Sequence, residues 1–254
     1  ERQPPQQPVK ACWLMPSFQN PLGSLMPEDK KRELVALLAR HQIPLIEDDV
    51  YGELHYGPQR PPPAKAFDGT GLVMHCSSFS KSLAPGYRVG WVAAGRFATA
   101  VQRLKLMTTL SAATPSQQAL SEYLAQGGYD RHLRALRRSL EQQQAIALAA
   151  VAKHFPRGTR VSRPEGGYFL WAELPQEVDA LALHRQALAQ GISLAPGQIF
   201  SADRRFAHCV RINYGHPAHD RLQPALECVG RLATVLAAEG ARTPPGERTN
   251  NSNL

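Results

Sequence analysis

The chain has 254 residues, 43% of them hydrophobic, so it can bury a core the size of one large domain or one and a half ordinary ones. No apolar run reaches the ~18–20 residues of a bilayer span, no secretory signal is visible, and four cysteines without ligand or pair spacing argue against zinc and disulfides; a reduced cytoplasmic setting fits. The net charge of +8 raises nucleic-acid binding, but the arginines are scattered, and the one cluster, Asp130 to Arg138, reads as the solvated face of a helix.

VKACWLM, from Val9 to Met15, reads as a buried strand. MPEDKKRELVALLARH follows as a helix, with Pro27 suited to its first position, Glu28 and Asp29 at its positive end, and Leu34, Leu37 and Leu38 as its apolar face. IPLIED is a second strand. This βαβ unit predicts parallel pairing with a right-handed crossover. After a Pro/Gly-rich connection come two more strands, Leu72 to Cys76 and Arg88 to Ala94. Three helical stretches follow. The clearest, about Arg131 to His154, aligns Leu133, Leu136, Leu140, Ala147 and Val151. Beyond Pro156 the texture changes: TRVSRPEGGYFLWAELP reads as two strands joined by a Glu-Gly-Gly turn. A helix over Val178 to Gln190, a strand HCVRINY and a helix over Asp220 to Ala238 complete the pattern. The expected organisation is α/β: a mostly parallel sheet with flanking helices over 1–155, a smaller α+β domain over 156–239, and a disordered polar tail over 240–254.

Open α/β sheets collect ligands beyond the carboxyl ends of their strands. Here the first strand is followed by Phe18, Gln19 and Asn20, the second by Asp48, Asp49 and Tyr51, and the third by Ser77, Ser78, Ser80 and Lys81. Each has a plainer reading: turn caps, a turn initiator before proline, a polar loop with a solvated lysine. Together they suit one ligand with an anionic end, a cationic ring nitrogen and an electrophilic carbonyl, to which a lysine could form a Schiff base.

FQNPLG, EDDVY and SSFSKSLAPGYRVG resemble the core signature of fold-type I pyridoxal-phosphate enzymes, the class I/II aminotransferases. The likeness runs from about Val9 to Ala237, and the wording of EDDVYGELHYG and SSFSKSLAPGYRVGW is closest to the aminotransferase-like domains of GntR/MocR-type bacterial regulators. The resemblance implies the following roles. Lys81 carries pyridoxal 5'-phosphate as a Schiff base, moves the substrate proton, and is buried beside the cofactor with a lowered pKa. Asp48 pairs with the pyridine nitrogen and keeps it protonated. Tyr51 and Asn20 bond the ring's phenolic oxygen. Ser78 and Arg88, with Ser80, bind the phosphate. Arg211, in HCVRINY, clamps the substrate α-carboxylate.

The family's Gly/Ser-rich phosphate-binding segment and its ring-stacking aromatic residue lie upstream of the Asn-Pro motif. The chain therefore reads as the C-terminal two-thirds of such a domain, which alone should bind cofactor weakly and turn over little. Two functions follow from the resemblance. One is transfer of an amino group between an amino acid and a 2-oxo acid. The other is sensing of the cofactor or an amino effector in a regulator, which would touch DNA only through a preceding winged helix-turn-helix domain. Homodimerisation of the full-length protein is implied in both.

Overall fold

The expected strand–helix–strand forms as β1 (Cys12–Leu14), α1 (Glu28–Arg40) and β2 (Leu45–Asp48) in the computed structural model, which describes residues 8–216 and 219–242. β1 runs parallel to β2, with Cys12 opposite Leu45 and Leu14 opposite Glu47. β3 (Val73–Ser78) lies parallel on the other side of β2, and β4 (Gly90–Ala93) closes the order β1-β2-β3-β4 as an antiparallel edge. Three parallel strands must end at the same side of the sheet. Leu14, Asp48 and Ser78 therefore deliver their following loops to one edge, as the sequence pattern required.

α1 docks by Leu34 and Leu38 of its expected face but not by Leu37. Its buried residues are Lys31 and Val35, with Leu34 and Leu38 half-buried, whereas Leu37 is exposed. The spacing i, i+3, i+4, i+7 puts Lys31 in line with the leucines, and Leu37 falls to the solvent side. Pro27 caps the helix from outside instead of opening it. Val35 joins Leu45, Ala64 and Val73 in a small core, with Cys12, Leu14, Leu34, Leu38 and Phe67 packed around it.

The borders of this sheet are less covered. Trp13 on edge strand β1 is 72% exposed, and all four residues of edge strand β4 are exposed, Trp91 among them. α2 (Ala98–Thr109) buries none of its residues and presents Leu104, Leu106 and Met107 to solvent; α3 (Thr114–Ala125) buries only Leu120.

The chain divides into two units. The first holds Ser24–Ser139 together with Glu1–Asn20 and Pro164–Gly167; the second holds Leu140–Arg163 and Tyr168–Leu254 together with Pro21–Gly23. α4 (Gly128–His154) contributes to both, and buries Leu133, Leu140, Ala147 and Val151 of its expected face, with Leu136 half-buried.

The second unit has an antiparallel sheet ordered β5-β6-β8-β7: β5 (Arg160–Val161), β6 (Phe169–Glu173), β7 (Ala195–Pro196) and β8 (Cys209–Asn213). The two-residue β7 has no sequence signature, and its proline restricts it to an edge. Phe169, Leu170, Trp171 and Ala172 of β6 are all buried, at roughly 1.5–3 kcal/mol for each large side chain. α5 (Ala180–Ala189) opens on Asp179, whose carboxylate accepts the Leu181 and Ala182 amides at 3.1 and 3.2 Å, a cap worth about 1 kcal/mol. α6 (Leu222–Arg242) extends into the expected tail, so 240–242 are helical; 243–254 lie outside the described residues.

Candidate functional site

Lys81 leaves the end of β3 in a single helical turn, where the amides of Leu83 and Ala84 both donate to the Phe79 carbonyl at 2.9 Å. A short 3₁₀ turn at Pro85–Tyr87 then reverses the chain, and Arg88 takes a left-handed conformation with φ 54°. The reversal returns the Arg88 guanidinium to the loop's start: Nη1 donates to Ser80 Oγ and to the Pro85 carbonyl, both at 3.2 Å. The seven-residue gap between Lys81 and Arg88 is thus a loop that brings a cation back beside a hydroxyl. Ser78, at the end of β3, sits opposite Gly90. A Cβ on Gly90 would come within 2.9 Å of the Ser77 carbonyl, so this close crossing needs glycine. Lys81 itself is exposed, contrary to the expected burial.

Asp48 ends β2, alongside Cys76 of β3. Burial pushes its carboxyl above the usual range and the neighbouring Asp49 charge adds to this; the Val50 amide, at 3.4 Å, and the positive charge of Lys81 pull the other way. Burial and the charge of Asp48 also push the Cys76 thiol up.

The residues on either side of Asp48 point to the opposite face, as strand alternation demands. Glu47, fully buried, accepts the Ala64 and Lys65 amides at 2.6 and 2.9 Å. Asp49, 2% exposed, is paired with Arg60 and accepts from His75 Nε2 at 3.0 Å. Lys31 donates to Ser17 Oγ at 3.0 Å and to the Pro62 carbonyl at 2.8 Å. Desolvation lowers its pKa, although the Asp49 and Glu47 charges oppose that. A Cβ on Gly52 would lie 2.5 Å from Asp49 Oδ1, so the turn after Tyr51 closes directly onto this carboxylate. Sequence reasoning passed over this buried network. Its one legible signal was Lys31, which falls within the apolar spacing of α1.

Asn20 follows β1 in a turn, and its backbone N–H donates to Met15 Sδ at 3.3 Å. Tyr51 is 3% exposed, just beyond β2. Asn20, Asp48, Tyr51, Ser78, Ser80, Lys81 and Arg88 all belong to the first unit and follow or end its strands. Arg211 belongs to the second, on β8, opposite Trp171 of β6 and Ala195 of β7. Its guanidinium carbon sits 4.2 Å from the centroid of the Phe169 ring and 5.3 Å from that of Phe200, which fixes the planar fork against an aromatic wall. Trp171 meets Phe200 and Phe206 edge to face, each at 5.8 Å.

The sequence profile described as Aminotransferase class I and II matches residues 1–227. The chain is 48% identical over 225 residues to the uncharacterized HTH-type transcriptional regulator YdcR of Escherichia coli, covering 89% of this chain and 48% of that protein. It is 33% identical over 232 residues to aromatic-amino-acid aminotransferase 1 of Thermococcus litoralis, covering 91% and 55% respectively. Among solved structures, the kynurenine aminotransferase of Pyrococcus horikoshii superposes with a TM-score of 0.83 at 30% identity, over 89% of this chain and 56% of that one. LysN, an α-aminoadipate aminotransferase of Thermus thermophilus complexed with N-(5'-phosphopyridoxyl)-L-leucine, gives 0.84 at 30%, over 90% and 60%. The chain spans about half the length of the curated relatives it matches. No helix among the described residues is long and apolar enough to cross a membrane.

Proposed function

From its membership of the class I and II aminotransferases, the family to which this chain belongs, we propose that its first unit holds pyridoxal 5'-phosphate and, in the complete cytoplasmic homodimer, supports amino-group transfer between an amino acid and a 2-oxo acid. One observation carries the reading: the Lys81 loop returns Arg88 to Ser80 just beyond β3, which runs parallel to β2 and its terminal Asp48, so a primary amine, a cation–hydroxyl pair and a carboxylate share one sheet edge. These groups fit the cofactor's chemistry. An arginine fork with a hydroxyl suits a phosphate dianion, a carboxylate suits a protonated ring nitrogen, and a lysine suits an aldehyde. When bound, the cofactor supplies an electron sink for the substrate Cα.

The chain's own residues then divide the work. Arg88, Ser80 and Ser78 bind the phosphate and fix the ring's position. Asp48, whose carboxyl burial pushes up, gains a cationic partner that favours its ionised form. Tyr51 and Asn20 present donors to the ring's phenolic oxygen. With the cofactor bound, the Lys81 amine would be the group to hold and return the proton at the substrate Cα. Arg211, with its guanidinium carbon 4.2 Å from the Phe169 ring centroid, would offer its donors to the substrate carboxylate. The test is absorbance titration of the complete protein with pyridoxal phosphate: a visible band forms at stoichiometric cofactor and is absent in Lys81→Ala.

A second reading is favoured by the 48% identity to an HTH-type regulator. In it the same pocket senses the cofactor, or an amino compound joined to it, and an additional DNA-binding domain gives the response. Steady turnover of amino acid with 2-oxoglutarate supports the enzyme. Cofactor-dependent DNA binding without turnover supports the sensor.

A further inference from the structure

The loop bearing Lys81 is gripped from behind by α4. Ser82, the next residue in the chain and 3% exposed, shares a hydrogen bond with the Tyr129 hydroxyl at 2.8 Å. His132, one turn along the helix, donates through Nε2 to the Ser82 carbonyl at 2.8 Å. The Tyr129 ring also packs edge to face on Phe79, 5.8 Å between centroids. Burial pushes the Tyr129 hydroxyl above its usual range, so it remains a neutral hydrogen-bonding group across the physiological range. Further along α4, Arg137 donates Nε to the Glu53 carbonyl at 2.7 Å and Nη2 to Glu53 Oε2 at 3.3 Å. Arg60 reaches the other oxygen of Glu53 at 2.9 Å. Glu53 lies two residues past Tyr51. One stretch of helix, all within the first unit, therefore holds both the Lys81 loop and the turn carrying Tyr51.

We propose that Tyr129 and His132 are positioning residues that set where Lys81 stands, by fixing the side chain and the carbonyl of Ser82. An exposed lysine on a single helical turn has little local restraint. The two contacts to Ser82 bind the side-chain hydroxyl and the main chain independently, so the Ser82 backbone can neither slide nor rotate freely. Arg137 gives the adjoining turn the same reference, and Lys81 and Tyr51 share one frame. The proposal rests on Lys81 being the residue that joins the cofactor, and its test separates the two.

The experiment uses the complete protein with Tyr129→Phe, Ser82→Ala and the double variant. Amide exchange, read without cofactor, reports the brace: each single variant speeds exchange at Leu83 and Ala84 by about tenfold, and leaves the interior amides of α4 unchanged. The dissociation constant for pyridoxal phosphate rises about three- to tenfold, and the double variant is no worse than either single. Unchanged exchange, or additive losses in the double variant, overturns the brace. Faster exchange with an unchanged dissociation constant, in a protein whose visible band is lost in Lys81→Ala, overturns positioning. A band that persists in Lys81→Ala overturns the reading of Lys81 and the positioning claim with it, whatever the exchange result. His132→Gln, which retains a donor, keeps wild-type affinity while His132→Leu loses it; this pair decides the matter if the tyrosine variant does not fold.

Discussion

The two faces of the first sheet treat consecutive carboxylates in opposite ways. On one face, Glu47 and Asp49 are buried and held by two amides, an arginine and a histidine. On the other, Asp48 has a single long contact to an amide at 3.4 Å, and burial raises its pKa. Lysines divide in the same way: Lys31 is buried with a hydroxyl and a carbonyl as partners, and Lys81 is exposed. The lesson concerns how to tell a structural ionisable group from a working one. The structural group has most of its bonding capacity filled by its own fold, with the buried Asp49 Oδ1 as the exception. The working group keeps capacity for a ligand, Asp48 because burial leaves it one long contact and Lys81 because it faces solvent.

Removing the working amine should give the largest functional change and the smallest structural one. Lys81→Ala abolishes the visible band of the cofactor-loaded complete protein, and unfolding stability moves by no more than about 0.5 kcal/mol, as for other exposed positions. A variant that unfolds more readily by several kcal/mol would show that the front face is structural too.

Asp49→Ala attacks the opposite face. It leaves His75 Nε2 without its acceptor and takes one of the two carboxylates from Arg60, which keeps Glu53, and should cost about 3 kcal/mol in urea unfolding, read from the midpoint at constant slope. A loss under about 1 kcal/mol would break the comparison. Lys31→Met is milder, because the replacement fills similar volume; it leaves Ser17 Oγ and the Pro62 carbonyl without their donor, for about 1–3 kcal/mol.

Asp48→Asn sharpens the contrast through its sign. The folded carboxyl binds its proton more tightly than the unfolded one, whose value is 3.8. Its contribution to stability is therefore fullest below 3.8 and is lost as pH rises through the higher folded value. At neutral pH the ionised group is a burden, so Asp48→Asn should stabilise the fold slightly, by under about 1 kcal/mol after solvent screening, while weakening cofactor binding. A destabilised Asn variant at pH 7 contradicts this. Asp68 has the reverse sign. Burial pushes its carboxyl up, but hydrogen bonds from the Val73 amide, Lys65 and Thr70 outweigh it and hold it well below the usual range. Its contribution is present above 3.8 and fades as pH falls towards the folded value. A double titration of stability against pH should show the two slopes with opposite sign.

The smallest effect belongs to the surface. Arg160→Ala removes an ion pair to Glu173 whose arginine is 81% exposed, and thermal unfolding should shift within about 0.5 kcal/mol.

Much of this was legible in the chain. Strand alternation alone separates Asp48 from Glu47 and Asp49. Parallel βαβ order alone sends Asn20, Asp48 and Lys81 to one edge, and the family wording picks out Arg88 and Arg211 among scattered arginines. These are local or near-local properties, set by backbone geometry and by spacing along a strand or loop. What alternation cannot say is which face is filled. That depends on Lys31 arriving from α1, Arg60 from a proline-rich connection and His75 from the next strand. The burial of Lys31 and the exposure of Leu37 likewise follow from the angle at which α1 meets the sheet, because both positions satisfy a helical apolar period. Tyr129 and His132 meet Ser82 across 47 and 50 residues of chain, and no periodicity links them. The sequence by itself determined which chemical groups gather at the strand ends. Only the tertiary structure decided which of them are already satisfied and which are held ready, because satisfaction is a property of neighbours in space.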